Sequence, residues 1–296
     1  MQSKQPMPFK KPDTPPIDTA NLVAQAKGLP ESPGVYYFLS DNEYPIYIGK
    51  SINLKQRVLS QFYAANRDSK ENKIARSACK ISFDTTPGEL GALIQESVQV
   101  KKYLPLYNRQ LRRQKKLFTW SIDESKPYHS LMLTEAIWPP PSGGQYYGLY
   151  RSATQAKRAL EKVAIDNKLC KKVLGLERIQ TTCFAFQLKK CLGACKELES
   201  CESHNSRLAE ALEKSIINHW PFPGSIGVIE NQATFAYIFD QWNYLGTSPV
   251  SDLKHKRAPS STISQTVLDR DTYRILLSSL TKKREDLNIV SLSAAK

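Results

Sequence analysis

The sequence predicts an α+β protein whose leading part is a small mixed or antiparallel three-stranded sheet flanked by helices. Three observations carry that class. Two short runs, 35–39 and 46–49, read as extended, with different residue sets on their two faces, around a turn-forming Asp41-Asn42. A helical stripe follows at Leu54, Val58 and Phe62, spaced i, i+4, i+8. A third extended run, at Ile81 and Phe83, then precedes a helix-start signal at Thr86-Pro87-Gly88-Glu89.

The elements follow in order. Residues 1–27 read as a flexible N-terminal arm ending in a short helical lead-in; Met1 to Thr19 is polar and Pro-rich, with Lys4, Lys10 and Lys11 and no apolar signal core. From Pro33 the chain is extended. Val35, Tyr37 and Leu39 alternate with Tyr36 and Phe38, and Ile46 and Ile48 alternate with Tyr47 and Gly49. Period two puts the aliphatic set on one face, with Tyr36 and Tyr47 on the other. The helix from Asn53 to Tyr63 leaves Arg57 off its buried stripe, free to point into a cleft. The helix opened by Thr86-Pro87-Gly88-Glu89 carries Leu90, Leu93, Ile94 and Ser97 on one side. Glu96 lies off the centre of that side, and the helix stops before Pro105, with Asn108 just beyond. A basic run, Arg109, Arg112, Arg113, Lys115 and Lys116, abuts this region and is a candidate for contacts to a nucleic-acid backbone. Further on, Pro139 to Gly144 marks a loop in a second unit, and helices are expected over 152–166 and 205–218. Strand-like runs follow at 225–229 and 234–242. The expected domains are 28–112, a cysteine-containing α/β region over 113–202, and an α+β region of unassigned role over 203–296.

Charge narrows the class of partner. The 296 residues hold 42 basic and 28 acidic side chains, a net charge of +14. Such a balance favours a polyanion, through counterion release. The competing polyanion, a membrane, is disfavoured by a mean hydropathy of -0.45 and the lack of a long apolar run. A bacterial cytoplasmic location is expected, in which the six cysteines stay reduced and read as thiols or metal ligands.

Tyr36, Tyr47, Lys50, Arg57, Glu96 and Asn108 make a poor hydrophobic core and a plausible phosphodiester-cutting site. A phosphodiester repels hydroxide, so cations must precede attack. An arginine fork fits phosphate oxygens. One carboxylate suits Mg²⁺ (or Mn²⁺), which keeps most of its waters and takes few protein ligands. A tyrosine is a poor base at its free pKa of about 10, and nearby Lys50 and Arg57 are expected to lower that value. Taken singly, each of these residues has an ordinary structural explanation; taken together and in order, they do not.

The spacing Gly34-Val35-Tyr36, Tyr47-Ile48-Gly49-Lys50, Arg57, Glu96, Asn108 resembles the GIY-YIG nuclease family in its UvrC-like form, at the length of the short UvrC homologues. The likeness runs over about residues 30–200, more weakly beyond. It implies one divalent cation held at Glu96, with Tyr36 or Tyr47 orienting or deprotonating the attacking water. Arg57 and Lys50 would stabilise charge at the phosphate, and Asn108 would support the site by hydrogen bonds. The pattern departs from many relatives at Gln61, where they carry a further tyrosine. The resemblance further implies a DNA-repair endonuclease acting on damaged double-stranded DNA. It would be loaded by the UvrA/UvrB damage-recognition proteins and make a single cut on the 3′ side of a bulky lesion. Two alternatives stay open: a GIY-YIG enzyme that cuts undamaged DNA, and a non-catalytic DNA-binding module on the same fold.

Cys170, Cys183, Cys191 and Cys195 leave gaps of 12, 7 and 3 residues, with only the last pair close. A structural zinc site normally shows a close pair at each end. Irregular spacing suits an iron–sulfur cluster better, and the family resemblance implies a 4Fe-4S site there, with zinc as the alternative. No P-loop, dinucleotide fingerprint or paired-histidine motif is present.

Overall fold

The computed structural model describes residues 20–64, 69–108, 116–141, 143–177, 184–253, 266–281 and 285–292. The chain divides into two compact units, 1–110 and 111–296.

The first unit runs α1 (Ala20–Lys27), β1 (Gly34–Leu39), β2 (Pro45–Ser51), α2 (Leu54–Ala64), α3 (Ser69–Ser77), β3 (Lys80–Thr85) and α4 (Glu89–Tyr103). Its sheet has the order β2-β1-β3, with both pairings antiparallel. Register places Tyr36 opposite Gly49 and Phe38 opposite Tyr47, so the expected tyrosine face is formed. That face packs against α1, α2 and α3 in one apolar cluster that includes Leu22, Leu54, Val58, Phe62 and Ile74. Tyr36 and Tyr47 belong to this cluster, so the tyrosines are core residues as well as candidate site residues. On the strands' other face Lys50, register partner of Val35, reaches Glu89 in the first turn of α4.

Local sequence explains the boundaries. Asn53 caps α2, its Oδ1 accepting from the Gln56 N–H at 2.9 Å. Gly34 lets β3 approach closely: a methyl group there would lie 2.9 Å from Leu54 Cδ1 and 3.1 Å from Thr85 Cα. α4 ends at Leu104, which turns left-handed at φ 49° directly before Pro105. Two expectations are corrected here. Residues 20–27 are not part of an arm: α1 buries Leu22 and Ala26 in the core, while residues 1–19 lie outside the described residues. Thr86-Pro87-Gly88-Glu89 is not a capping box either. α4 begins after Gly88 with no side-chain cap, Thr86 donates to the Gly88 carbonyl at 2.9 Å, and Glu89 is engaged by Lys50.

The second unit begins with β4 (Phe118–Asp123), β5 (Ser130–Glu135), β6 (Ile137–Trp138) and β7 (Tyr146–Tyr150). It continues through α5 (Ala153–Asp166), α6 (Phe184–Gln187), α7 (Cys201–Leu212), β8 (Ile226–Glu230), β9 (Phe235–Asp240) and β10 (Asn243–Pro249). It closes with β11 (Thr266–Val267), α8 (Arg270–Thr281) and β12 (Leu287–Ser291). The sheet β5-β4-β7 shares a core with α5 and α7, built from Trp120, Leu131, Leu160 and Leu208. A separate sheet, β10-β9-β8-β12, has its own cluster around Ile229, Ile238 and Leu253. Ser152 and Ser200 cap α5 and α7, which is why the second of these starts earlier than its apolar spacing suggests. Trp220 and Trp242 are buried core residues.

Candidate active site

The two tyrosines lie on the face of the first sheet that α1, α2 and α3 cover. Tyr36 is wholly buried, its ring laid over Gly49 on the neighbouring strand; a methyl group at Gly49 would fall 2.5 Å from Tyr36 Cζ. The glycine is therefore a seat for the tyrosine ring. Tyr47 stands beside it, with ring centroids 6.1 Å apart. The Tyr36 hydroxyl lies close to Tyr47 and to the Arg57 guanidinium, yet among the described residues it makes no hydrogen bond of ordinary geometry. A buried hydroxyl left in that state is costly and has capacity for a further partner.

Burial decides the acidity of both phenols. It pushes Tyr36 well above the ordinary tyrosine range, with Tyr47 adding to the shift and Arg57 opposing it. It pushes Tyr47 up as well, reinforced by the negative charges of Glu71 and Glu96 and opposed first by the neighbouring Tyr36 hydroxyl and then by Arg57. The expected lowering by Lys50 and Arg57 is thus overturned. Removing a phenolate from water outweighs one partly exposed guanidinium, and Lys50 is on the opposite strand face, paired with Glu89 at 3.1 Å.

Asn108 is buried and works as a strand edge. Its Oδ1 accepts from the Ile48 N–H at 2.9 Å and its Nδ2 donates to the Ile48 carbonyl at 2.7 Å. The preceding residue, Tyr107, donates its N–H to Ile46 at 2.9 Å. These bonds pin the outer edge of β2 on both sides of Tyr47. Glu96 is half-buried on α4, with its charge felt at Tyr47. The structure thus brings together Tyr36, Tyr47 and Arg57, places Glu96 on α4 where its charge reaches Tyr47, braces β2 with Asn108, and holds Lys50 on Glu89.

Two residues were missed in the sequence, both in the first turn of α3. The Glu71 carboxylate accepts from buried Gln61 at 2.9 Å, and its charge acts on Tyr47 and Arg57. The Lys70 ammonium lies over the Tyr47 ring, 5.1 Å from its centroid. Neither falls in a recognisable motif; the one sequence signal was Gln61, buried where relatives carry tyrosine.

In the basic run, Arg109, Arg112, Arg113 and Lys115 lie outside the described residues, while Lys116 is exposed and pairs with Glu135 at 3.3 Å. Of the cysteines, Cys170 and Cys191 are buried in one apolar cluster that Cys195 packs against, and Cys183 lies outside the described residues. Among the described residues no group of three His, Cys, Asp or Glu side chains is placed to hold a metal ion. The expected four-cysteine metal site is not formed by them. Wholly buried His204 holds this segment instead, its Nε2 accepting from the Cys170 N–H at 3.4 Å. Among the described residues, no helix is long and apolar enough to cross a membrane.

Three family models match in succession: the UvrC-like GIY-YIG domain over residues 32–109, the UvrC/Cho excinuclease middle domain over 117–214, and the excinuclease Cho C-terminal domain over 225–296. The chain is 35% identical over 252 residues to excinuclease Cho of Salmonella typhi, covering 83% of this chain and 82% of that protein. It is 34% identical over 255 residues to excinuclease Cho of Escherichia coli K12, covering 84% and 82%. Among solved structures, the N-terminal GIY-YIG endonuclease domain of UvrC from Thermotoga maritima, bound to its catalytic cation magnesium, is 33% identical. That match covers 30% of this chain and 96% of that one, with a TM-score of 0.28.

Proposed function

The chain belongs to the excinuclease Cho family and is a DNA-repair endonuclease, and we propose that its first unit makes one metal-dependent incision in damaged duplex DNA at the Tyr36–Tyr47–Arg57–Glu96 cluster. The observation that carries this reading is the seating of Tyr36 on Gly49 beside Tyr47. It sets two hydroxyls beside the Arg57 guanidinium, with the charge of Glu96 reaching Tyr47.

Arg57 is partly exposed and receives the scissile phosphate, spreading its charge over a planar fork. Glu96, a half-buried carboxylate whose charge reaches Tyr47, fits the few-ligand demand of Mg²⁺ or Mn²⁺. Bound there, such an ion supplies Lewis acidity and stabilises the departing oxygen. Tyr47, less buried than Tyr36 and lying under the Lys70 ammonium, is the better placed of the two to orient the attacking water through its neutral hydroxyl. Tyr36 then acts as a positioning hydroxyl, and Asn108 fixes the strand that carries Tyr47. The cut is on the 3′ side of the lesion, the protein is loaded by the UvrA/UvrB proteins, and the reaction belongs to the bacterial cytoplasm. A 4Fe-4S cluster on Cys170, Cys183, Cys191 and Cys195 rests on their spacing in the sequence alone, since the described three are not placed to hold a metal ion. Iron and sulfide contents near zero in anaerobically purified protein would remove that part of the reading.

The test is incision of a site-specific lesion duplex, with and without the loading proteins, the cut mapped to the nucleotide. Arg57→Ala and Glu96→Ala proteins should lose nicking by about 10²-fold or more. Full activity in both would sink the assignment, and equal cutting of lesion-free duplex without partners would move it to an enzyme of undamaged DNA.

A further inference from the structure

Three arginines from distant stretches of the second unit gather at one corner. Arg151 directly follows β7 and precedes Ser152, the cap of α5. Arg270 opens α8, and Arg274 follows one turn later on the same side. A run of contacts ties the first turn of α8 to β7, the strand that leads into Arg151. The Ile217 N–H donates to the Tyr146 carbonyl at 2.9 Å, and Tyr147 bridges Ile216. The next N–H, of Asn218, donates at 3.0 Å to the hydroxyl of Tyr273, which lies between the two α8 arginines. Trp242 closes the joint, its ring 5.0 Å from Tyr273 and its indole N–H donating to the Asn218 carbonyl at 2.9 Å.

These guanidiniums have unspent donors. Among the described residues, none of the three makes an ion pair or a side-chain hydrogen bond, and the Arg270 Nε is buried without a partner. Arg270 feels both neighbours: burial first, then the charges of Arg274 and Arg151, hold its pKa below the ordinary arginine range. Asp271 is the acidic group that opposes this. Asp269 is committed to the α8 cap, accepting from the Asp271 N–H at 3.1 Å and the Thr272 hydroxyl at 2.7 Å. Like charges held together by a rigid frame destabilise the free protein, and a polyanion relieves that repulsion.

We propose that Arg151, Arg270 and Arg274 form a binding site for the phosphodiester backbone of DNA, built where the segments matched by the middle-domain and C-terminal-domain models meet. The inference rests on duplex DNA as the substrate. Guanidinium forks match phosphate oxygens, so the site positions DNA without reading its sequence.

The experiment is fluorescence anisotropy of a labelled duplex with the full chain across a salt series, in EDTA so that binding is read without cutting. The variant carries Arg151→Gln, Arg270→Gln and Arg274→Gln. Its slope of log K against log salt should be shallower by about 2–3, at ~0.9 per lost phosphate contact. A charge-matched control, Lys126→Gln with Lys162→Gln and Lys214→Gln, all exposed positions, should change the slope by less than about one. An unchanged slope in a natively folded arginine variant overturns the site, as does an equal change in the control. If the triple variant does not fold, exposed Arg274→Gln alone and the triple Arg→Lys protein decide. The first should lower the slope by about one, the second should keep it, and failure of either overturns the site. Loss of inorganic phosphate binding with unaltered DNA affinity assigns the corner to a free anion and also overturns it. A failed incision reading shows separately, as unimpaired nicking by Glu96→Ala.

Discussion

Gly49 shows how one missing side chain shapes a reactive one. Its hydrogen is the space that the Tyr36 ring fills, so Gly49→Ala must displace the phenol or the strand. The expected cost is about 1–3 kcal/mol of stability together with loss of nicking, read by urea denaturation and the lesion-duplex assay. Tyr36→Phe separates the tyrosine's two roles. Removing a buried hydroxyl that lacks an ordinary hydrogen bond should leave stability unchanged or raise it by up to about 1 kcal/mol. Nicking should nevertheless fall by about 10²; a variant that is both stable and fully active would show the hydroxyl to be idle. Acidity adds a pH signature. Tyr36 and Tyr47 are both raised by burial, so above pH ~10, the ordinary value, the folded chain holds protons that the unfolded chain releases. Stability contributed by the neutral phenols is full below that pH and falls as pH rises through the folded-state values. Urea midpoints on either side of pH ~10 should show the fall, and it should be smaller in Tyr36→Phe.

Among the elements, the edge of β2 decides whether the site holds. Asn108 satisfies both the N–H and the carbonyl of Ile48, standing in for a neighbouring strand. Asn108→Ala leaves both groups buried and unpaired, at about 1–3 kcal/mol, and loosens the strand segment that carries Tyr47 and Gly49. Asn108→Asp keeps the acceptor for the N–H but turns a carboxylate oxygen toward the carbonyl, so it should be no better. Thermal unfolding and nicking measured on both proteins check this, and wild-type behaviour in the aspartate variant would refute the account. The same elements show what a sequence discloses. The hairpin was legible because two extended runs, Val35 to Leu39 and Ile46 to Gly49, flank the turn at Asp41-Asn42, although β1 proves buried on both faces. α8 carries a helical stripe at Tyr273, Leu276, Leu277 and Leu280, a signal that the expected elements left unused. β7 was hidden because Gly148, at φ 70°, breaks its pattern. Glu71 and Lys70 were illegible for another reason: their importance comes from where α3 lands on the sheet, which no local spacing encodes.

For the whole molecule, the net charge of +14 announced a polyanionic partner, but composition could not show that two separate cores support it. The first unit closes around Tyr36, Phe38, Leu54 and Phe62, and the second around Trp120, Leu160 and Leu208, with further clusters of its own. A chain with independent cores is not expected to unfold in one all-or-none step. Calorimetry should therefore resolve two transitions, and single substitutions should sort them. Asn108→Ala should lower the transition of residues 1–110 by at least about 4 °C, given ~4–8 °C per kcal/mol for a domain of that size. Trp242→Ala removes a buried indole and its 2.9 Å bond to Asn218, at about 3–5 kcal/mol. It should lower the other transition, at ~2–4 °C per kcal/mol for the larger unit. It should also weaken DNA binding, because the joint it breaks is the one that keeps Arg270 and Arg274 beside Arg151. A single transition displaced by both substitutions would mean that the two units melt as one body, and the assignment of incision to one and backbone capture to the other would lose its thermodynamic basis.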